Sequence, residues 1–458
     1  MAKKSKPAAI ETSRKRRANP PRAIAAPRGL DAPIDRRLSP PAEPEGVTIS
    51  RRAADRLRSG HLWVYASDVL SVSPLAAQQD LIPVADQRGI LLGAALYSPQ
   101  SQIPLRLVAR HALDRDAWLA LLDSRLRAAI ARRKPLLDAD NDACRLCFSE
   151  ADELPGLIID KYGSLIVVQR LIRGLLHPSV ADACVRILHQ ELAPAAIYER
   201  PDPRMRELEG LPAPDSAPLW LADPAQPASA ARFLINGLSF HYDVNAGQKT
   251  GAFLDQRANY AAARHWAQRL AAAHAGLRGR ALDVCCYQGG FALHLAQVCR
   301  HVTGIDASRA SLEVAERNLQ ANRAAGGSKT EWAEVDWIEA DAFAILRDWS
   351  QAGELFDAIV LDPPAFAKSM RAVEGALRGY KELNLRALKM LRPGGLLVTC
   401  SCSHHVGWTD LEAAVAAAAA DAGRRVRLLE RRGPAPDHPV VLNLPETEYL
   451  KCLVLEAE

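Results

Sequence analysis

From Arg280 onward the chain alternates short apolar runs with amphipathic stretches, and this alternation restricts the fold more than any other feature. The runs "RALDVCC", "HVTGID", "WIEADAF", "FDAIVLDPP" and "GLLVTCSCS" are separated by helical sequences such as "SLEVAERNLQAN" and "ALRGYKELNLRALKML". Strands joined through helices run parallel, because a helical crossover returns the chain to the same end of the sheet. Residues 231–458 are therefore expected to form an α/β unit with a doubly wound, mostly parallel sheet. "FLINGLSFHYDV", a hairpin turning on Asn236-Gly237, and the helix "ANYAAARHWAQRLAAAH" lead into it.

Two smaller units precede this one. Residues 46–111 hold short apolar runs broken by Gly and Asp ("DLIPVAD", "GILLGAALYS", "IPLRLVAR"), the pattern of a small β-rich domain. Residues 112–230 open with a helix over 113–134, whose Trp118, Leu121, Leu122, Leu126 and Ile130 share one face. They continue as an α+β middle domain containing a hairpin-like pair of runs, "LIIDKYGSLIVVQ". The Pro- and Ala-rich stretch 212–230 is expected to be a linker or long loop. Residues 1–45 carry 11 Lys and Arg against five acids, with eight prolines, and predict a disordered basic tail. The whole chain is +5, so the body without the tail is near neutral and would bind nucleic acid only through local patches.

The sequence has no apolar run of about 18 residues, so no membrane helix is expected, and "MAKKSKPAAI" lacks the apolar core of a secretory signal. The nine cysteines include the neighbours Cys285 and Cys286 and the alternate pair Cys400 and Cys402. That spacing suits reduced thiols of a cytoplasmic protein. The single Cys-x-x-Cys, Cys144 to Cys147, lacks the second pair a zinc ribbon needs, so strand packing is expected there and no metal.

In doubly wound folds the ligand sits at the carboxyl ends of the strands. The first strand ends in "LDVCCYQGGF", where Gly289 and Gly290 let backbone approach a ligand before the next helix. A Gly-x-Gly-x-x-Gly fingerprint and a Walker loop are both missing. The second strand ends in Asp306, placed to accept bonds from two ribose hydroxyls. The third ends in Asp341, where the acid and the Ala342 amide could meet an adenine edge. Either acid alone would serve equally well as a helix N-cap, but three ligand-type strand ends in order point to a nucleoside. This order resembles the class I methyltransferases that use S-adenosyl-L-methionine. The resemblance implies a Rossmann-like domain whose cofactor contacts include Asp283, Cys285, Gly289, Gly290, Asp306, Ala307, Asp341, Ala342, Asp362 and Pro363.

The fourth strand stops at "LDPPAF", because consecutive prolines cannot donate ladder hydrogen bonds. Phe366 offers an aromatic face on which an extruded base could stack, or it closes a buried turn. In "LLVTCSCSHH", strand alternation would put Cys400 and Cys402 on one face. A buried cysteine there could be mere packing. A cysteine facing a base edge would instead be a nucleophile. Carbon 5 of a pyrimidine is unreactive until a thiolate adds to carbon 6 and makes the ring enamine-like. His404 and His405 lie next door, either as helpers or as solvated loop residues.

The body from about 47 to 458 resembles the ribosomal RNA large subunit methyltransferase I family, which methylates carbon 5 of a cytosine in 23S rRNA. "SGHLWVYASDV" is similar to its N-terminal PUA module, and "EADELPGLIIDKYG" and "IYERPDPRMRELEGL" to its middle domain. "GQKTGAFLDQR", "LDVCCYQGGFALH", "DPPAFAKS" and "TCSCS" are similar to its catalytic domain. The resemblance implies a PUA-like RNA-binding domain at 46–111 and a nucleophile at Cys402, with Asp362 on the ring edge. In "GQKTGAFLDQR" it implies Thr250 and Gln256 at the methionine end of the cofactor. Arg257 would pair the cofactor's carboxylate or an RNA phosphate, and Phe366 and Lys368 would face the RNA. The implied partner is the rRNA of the large subunit, with no membrane, and a homodimer is compatible. RNA cytosine methyltransferases often carry a second cysteine after Asp-x-Pro that helps release product; here that place is Ala365, so release would use another base, Cys400 or water. Formation of 5-methyluridine, N-methylation of a purine, and a non-catalytic assembly factor remain the alternatives at this level.

Overall fold

The computed structural model describes residues 46–212, 217–245, 251–273, 279–326, 331–367 and 369–458. Thr250, Lys368 and the basic tail lie outside the described residues.

The first unit is a six-stranded sheet built from strands between Val47 and Ala109, with the eight-residue helix Arg51–Arg58 packed on it. The runs expected to be strands form Leu81–Asp86, Leu91–Tyr97 and Leu105–Ala109, paired antiparallel. The second unit is a five-stranded sheet, and its long helix Arg115–Arg133 buries Trp118, Leu122, Leu126 and Ile130 as the periodicity predicts. The stretch expected to be a linker contributes more than a connection. Trp220–Leu221 pairs antiparallel with Ala196–Glu199 and forms the edge of this sheet. A two-residue edge strand is too short to show the period-2 signal that sequence reading relies on.

A two-stranded ribbon, Ala230–Ile235 and Leu238–Asp243, joins the second unit to the third. Both turn residues, Asn236 (φ 51°) and Gly237 (φ 78°), are left-handed, as an Asn-Gly hairpin turn requires. Neither edge is left bare. Asn141 Oδ1 accepts the Asn236 N–H at 2.9 Å and Asp142 Oδ1 the Leu234 N–H at 2.6 Å. On the other edge, Asn322 and Asn318 accept the N–H groups of Ser239 and His241, both at 2.8 Å.

The third unit is a seven-stranded sheet. Its strands, numbered within this unit, are β1 (Arg280–Val284), β2 (His301–Asp306), β3 (Glu334–Glu339), β4 (Phe356–Leu361), β5 (Leu391–Ser401), β6 (Val426–Arg432) and β7 (Lys451–Ala457). Their order is β3-β2-β1-β4-β5-β7-β6; the first five are parallel, and β7 runs antiparallel to both its neighbours. The helices Arg257–Ala273, Arg309–Gly326, Ala342–Ala352 and Val373–Met390 cover its two faces, each over a separate apolar core.

The second and third units are joined through Asp437, which is fully buried. Its Oδ2 accepts the Arg145 N–H at 2.9 Å, Arg257 Nη2 lies 3.5 Å from Oδ1, and its carbonyl accepts from Arg133 at 3.1 Å. No helix among the described residues is long and apolar enough to cross a membrane.

Candidate active site

The strand order places the ends of β2, β1, β4 and β5 side by side, and the acids and cysteines singled out in the sequence gather there. After β1 the chain makes a tight loop through three left-handed residues, Cys285 (φ 64°), Tyr287 (φ 49°) and Gly289 (φ 86°). Two of these are not glycine, and each such residue costs about 1–3 kcal/mol. The loop is held by bonds from its backbone: Cys286 N–H to the Ile305 carbonyl at 2.9 Å, and Tyr287 N–H to Asp306 Oδ2 at 2.9 Å. The other oxygen of Asp306 accepts the Ser308 N–H at 2.8 Å, with exposed Ala307 between them.

The two glycines differ. Gly289 is needed for its positive φ, whereas a Cβ on Gly290 would lie 2.4 Å from the Tyr260 ring. Gly290 therefore leaves room for the Tyr260 ring. Asp341 caps the helix Ala342–Ala352, accepting the Ala344 N–H at 2.9 Å; it is exposed at the end of β3 and keeps its position for a ligand edge.

Asp283 is wholly buried beneath the loop, where Oδ2 accepts the Ala292 N–H at 2.8 Å. Burial, with Asp362 and Asp306 nearby, pushes its carboxyl well above the usual range. Its Oδ1 has no partner among the described residues. An orphaned buried oxygen under a loop, flanked by strand-end acids, fits the polar ends of a nucleoside-linked amino acid such as S-adenosylmethionine. Burial also pushes the half-buried Cys285 thiol far up, aided by Asp306 and Asp362, so it stays a thiol.

Asp362 follows β4, anchored by its N–H to the Val284 carbonyl at 3.2 Å, and stands between the β1 loop and the end of β5. β5 stops at Ser401, so Cys402 lies just past the strand, not within it. The two cysteines consequently have different surroundings. Cys400 is buried opposite Cys452 on β7, and burial pushes its thiol well above the ordinary value. Cys402 is half-buried, with Sγ 3.8 Å from the Pro363 carbonyl. None of the nine cysteines is in a disulfide.

The serines on either side explain how Cys402 is fixed. Ser401 Oγ donates to the Tyr380 hydroxyl at 2.9 Å, and Ser403 Oγ lies 3.0 Å from the same hydroxyl. Ser403 Oγ also accepts the Ala367 N–H at 3.2 Å, which ties the β5 turn to the loop after β4. On the other side Lys451 Nζ donates to the Ser403 carbonyl at 2.9 Å.

One expectation changes. Arg257 does not face RNA: it is buried, donates to the Ala143 carbonyl at 2.9 Å and approaches Asp437. Gln256 is buried, its Oε1 accepting from Asn259 at 2.6 Å, and it lies next to Cys400. Phe366 is half-buried and packs its ring on Tyr380 (4.9 Å between centroids) and Phe343 (5.8 Å), which anchors the "LDPPAF" loop. Spacing alone cannot say which side of a loop a neighbouring domain will cover. Tyr287, Tyr380 and Lys451 were not singled out in the sequence. Only Lys451 left a signal there, as a lone charge in the apolar run "YLKCLVL".

Beside this centre the three units enclose a cleft of about 440 Å³. Trp63 of the first unit, Arg145 and Phe148 of the second, and Phe253, His404 and Tyr449 of the third line it. The arginines of the first helix are largely engaged within their own unit: Arg52 and Arg56 pair with Asp68, and Arg58 with Asp86.

A family profile described as a PUA-like domain matches residues 47–110, and one described as an S-adenosylmethionine-dependent methyltransferase matches residues 152–453. The chain is 34% identical over 403 residues to the ribosomal RNA large subunit methyltransferase I of Pseudoalteromonas translucida, covering 87% of this chain and 96% of that one. It is 35% identical over 398 residues to the protein of the same name from Cronobacter sakazakii, covering 85% and 94%. A solved S-adenosylmethionine-dependent methyltransferase from Streptococcus mutans shares the fold, with a TM-score of 0.72 over 90% of this chain and 99% of that one at 18% identity. With a PUA-like domain followed by a cofactor-binding sheet of this order, and with relatives matched over nearly their whole length, the chain belongs to the ribosomal RNA large subunit methyltransferase I family of S-adenosylmethionine-dependent methyltransferases.

Proposed function

We propose that the protein methylates carbon 5 of a cytosine in 23S rRNA of the large ribosomal subunit, in the cytoplasm, through a covalent adduct on Cys402. The observation that carries this reading is the contrast between the two cysteines. Cys402 is half-buried at the strand tip beside Asp362 and Pro363, whereas Cys400 is sealed against Cys452.

S-adenosylmethionine supplies the methyl group, held by the β1 loop, Asp306 and Asp341. The Cys402 thiolate adds to carbon 6 of the cytosine, and the ring gains nucleophilic character at carbon 5. The Asp362 carboxyl hydrogen-bonds the ring edge and fixes its orientation. The Tyr380–Ser401–Ser403 bonds keep the sulfur in place while carbon 5 takes the methyl. A base then removes the carbon 5 proton, the carbon–sulfur bond breaks, and the thiolate is restored. The cleft bordered by Trp63 and Phe148 would hold the RNA next to the target base, with aromatic faces for unstacked nucleotides.

The test uses rRNA carrying 5-fluorocytosine, whose fluorine cannot leave as a proton. Wild-type protein and Cys400→Ala should form a denaturation-resistant RNA adduct, and Cys402→Ala should form none. Trapping that persists without Cys402 would overturn the assignment.

A further inference from the structure

Lys451 opens β7, followed by Cys452, Leu453, Val454 and Leu455, and it is 2% exposed. Burying an ammonium is unfavourable by several kcal/mol unless it is paired. No carboxylate forms an ion pair with Lys451 among the described residues; Nζ donates to two backbone carbonyls, Ser403 and Tyr449, each at 2.9 Å. An apolar residue would fill the same strand position at less expense of solvation. The position becomes intelligible from what lies beside it. The Ser403 carbonyl belongs to the residue next to Cys402, so the buried positive charge is set against the turn that carries this sulfur.

We propose that Lys451 is a positioning residue that keeps Cys402 as a thiolate, its ammonium supplying the positive charge beside the sulfur while its two hydrogen bonds fix the turn. The proton of the thiol leaves to solvent before the sulfur attacks. The other charged and titratable groups around this point act in both directions. Asp362 after β4 disfavours the thiolate, Tyr380 lies on the far side of the turn, and His404 and His405 follow it in the chain. Burial lowers the affinity of Lys451 for its own proton; Glu448, Cys402 and Asp410 hold that proton on. A thiolate beside a cation is the usual way a protein activates cysteine.

The inference rests on Cys402 as the nucleophile, but its test does not. Full-length protein is alkylated with iodoacetamide across pH 5 to 10, and the Cys402 peptide is quantified by mass spectrometry. Wild type should show its half-rise below the ordinary thiol value of about 8.5. Lys451→Met should shift it up by about one unit, lowering the alkylation rate at neutral pH about tenfold, since only the thiolate reacts. Lys451→Arg should restore most of the rate. In methyl transfer, Lys451→Met should lower kcat and leave cofactor affinity unchanged. A wild-type half-rise at or above about 8.5 overturns the proposal even if the variants do not fold, as does an unshifted half-rise in Lys451→Met. If the half-rise shifts as expected but Cys402→Ala still methylates, the thiolate inference stands and the covalent reading fails. If Cys402 is trapped by fluorinated RNA but the half-rise does not move, the reverse holds.

Discussion

Replacing Asp437 by Asn isolates what one buried charge contributes to the joint between the middle and catalytic units. Burial alone would raise the Asp437 carboxyl, but His438, Arg257 and the Arg145 N–H together bring it down to about 2. An unfolded aspartate titrates near 3.9, about two units higher, so the charge contributes about 2.5 kcal/mol at pH 7. The sign follows from the depressed native value. The contribution is fully present above about pH 4, falls to about half near pH 3, and is lost below about pH 2. Asn keeps the shape and can still accept the Arg145 N–H, so chiefly the charge is removed. Urea unfolding of wild type and Asp437→Asn should differ by at least about 2 kcal/mol at pH 7, with the gap narrowing by roughly half at pH 3. Hydrogen exchange in the strand Ala143–Phe148 should rise in the variant, since its Arg145 N–H is the donor to this carboxylate. An equal gap at both pH values, or none at pH 7, would refute the reasoning.

Two further perturbations address the active centre. Tyr380→Phe removes the hydroxyl shared by Ser401 and Ser403, and should destabilise the protein by about 1–3 kcal/mol. In the same variant kcat should fall while cofactor affinity stays constant; unchanged melting and turnover would show that the serines hold the turn without it. Asp306→Ala removes the acceptor of the Tyr287 N–H along with the proposed ribose contact, and calorimetry should show S-adenosylmethionine binding weaker by about 1–3 kcal/mol. Undiminished affinity would remove Asp306 from the cofactor site.

The parts of the fold that could be read from the sequence are those fixed by local periodicity. The helix expected over 113–134 is Arg115–Arg133, and the hairpin on Asn236-Gly237 turns where the dipeptide requires. The strand ends that gather the acids follow from the alternation of strands and helices, because topology alone brings them to one edge of the sheet. What could not be read depends on contacts between units. Arg257 looks like an exposed loop cation until the middle unit covers it, and nothing local in "LDPPAF" says that the Phe366 ring will rest on Tyr380 of the helix Val373–Met390. The separate fates of Cys400 and Cys402 turn on a strand ending one residue earlier than alternation assumes.

The Asn-Gly ribbon has a consequence for the order in which the chain becomes structured during synthesis. A two-stranded hairpin is marginal by itself in water, and this one has its first edge satisfied by residues 141–142, already made when it emerges. Its second edge waits for Asn318 and Asn322, more than 70 residues later. Until then Leu238–Asp243 presents open hydrogen-bonding groups, the kind of edge that recruits foreign strands. The ribbon is therefore a latch that closes only once the first half of the catalytic sheet has left the ribosome. Substitutions at Asn318 or Asn322 should accordingly show their effect in the yield of soluble protein during synthesis before they show it in the activity of molecules that have folded.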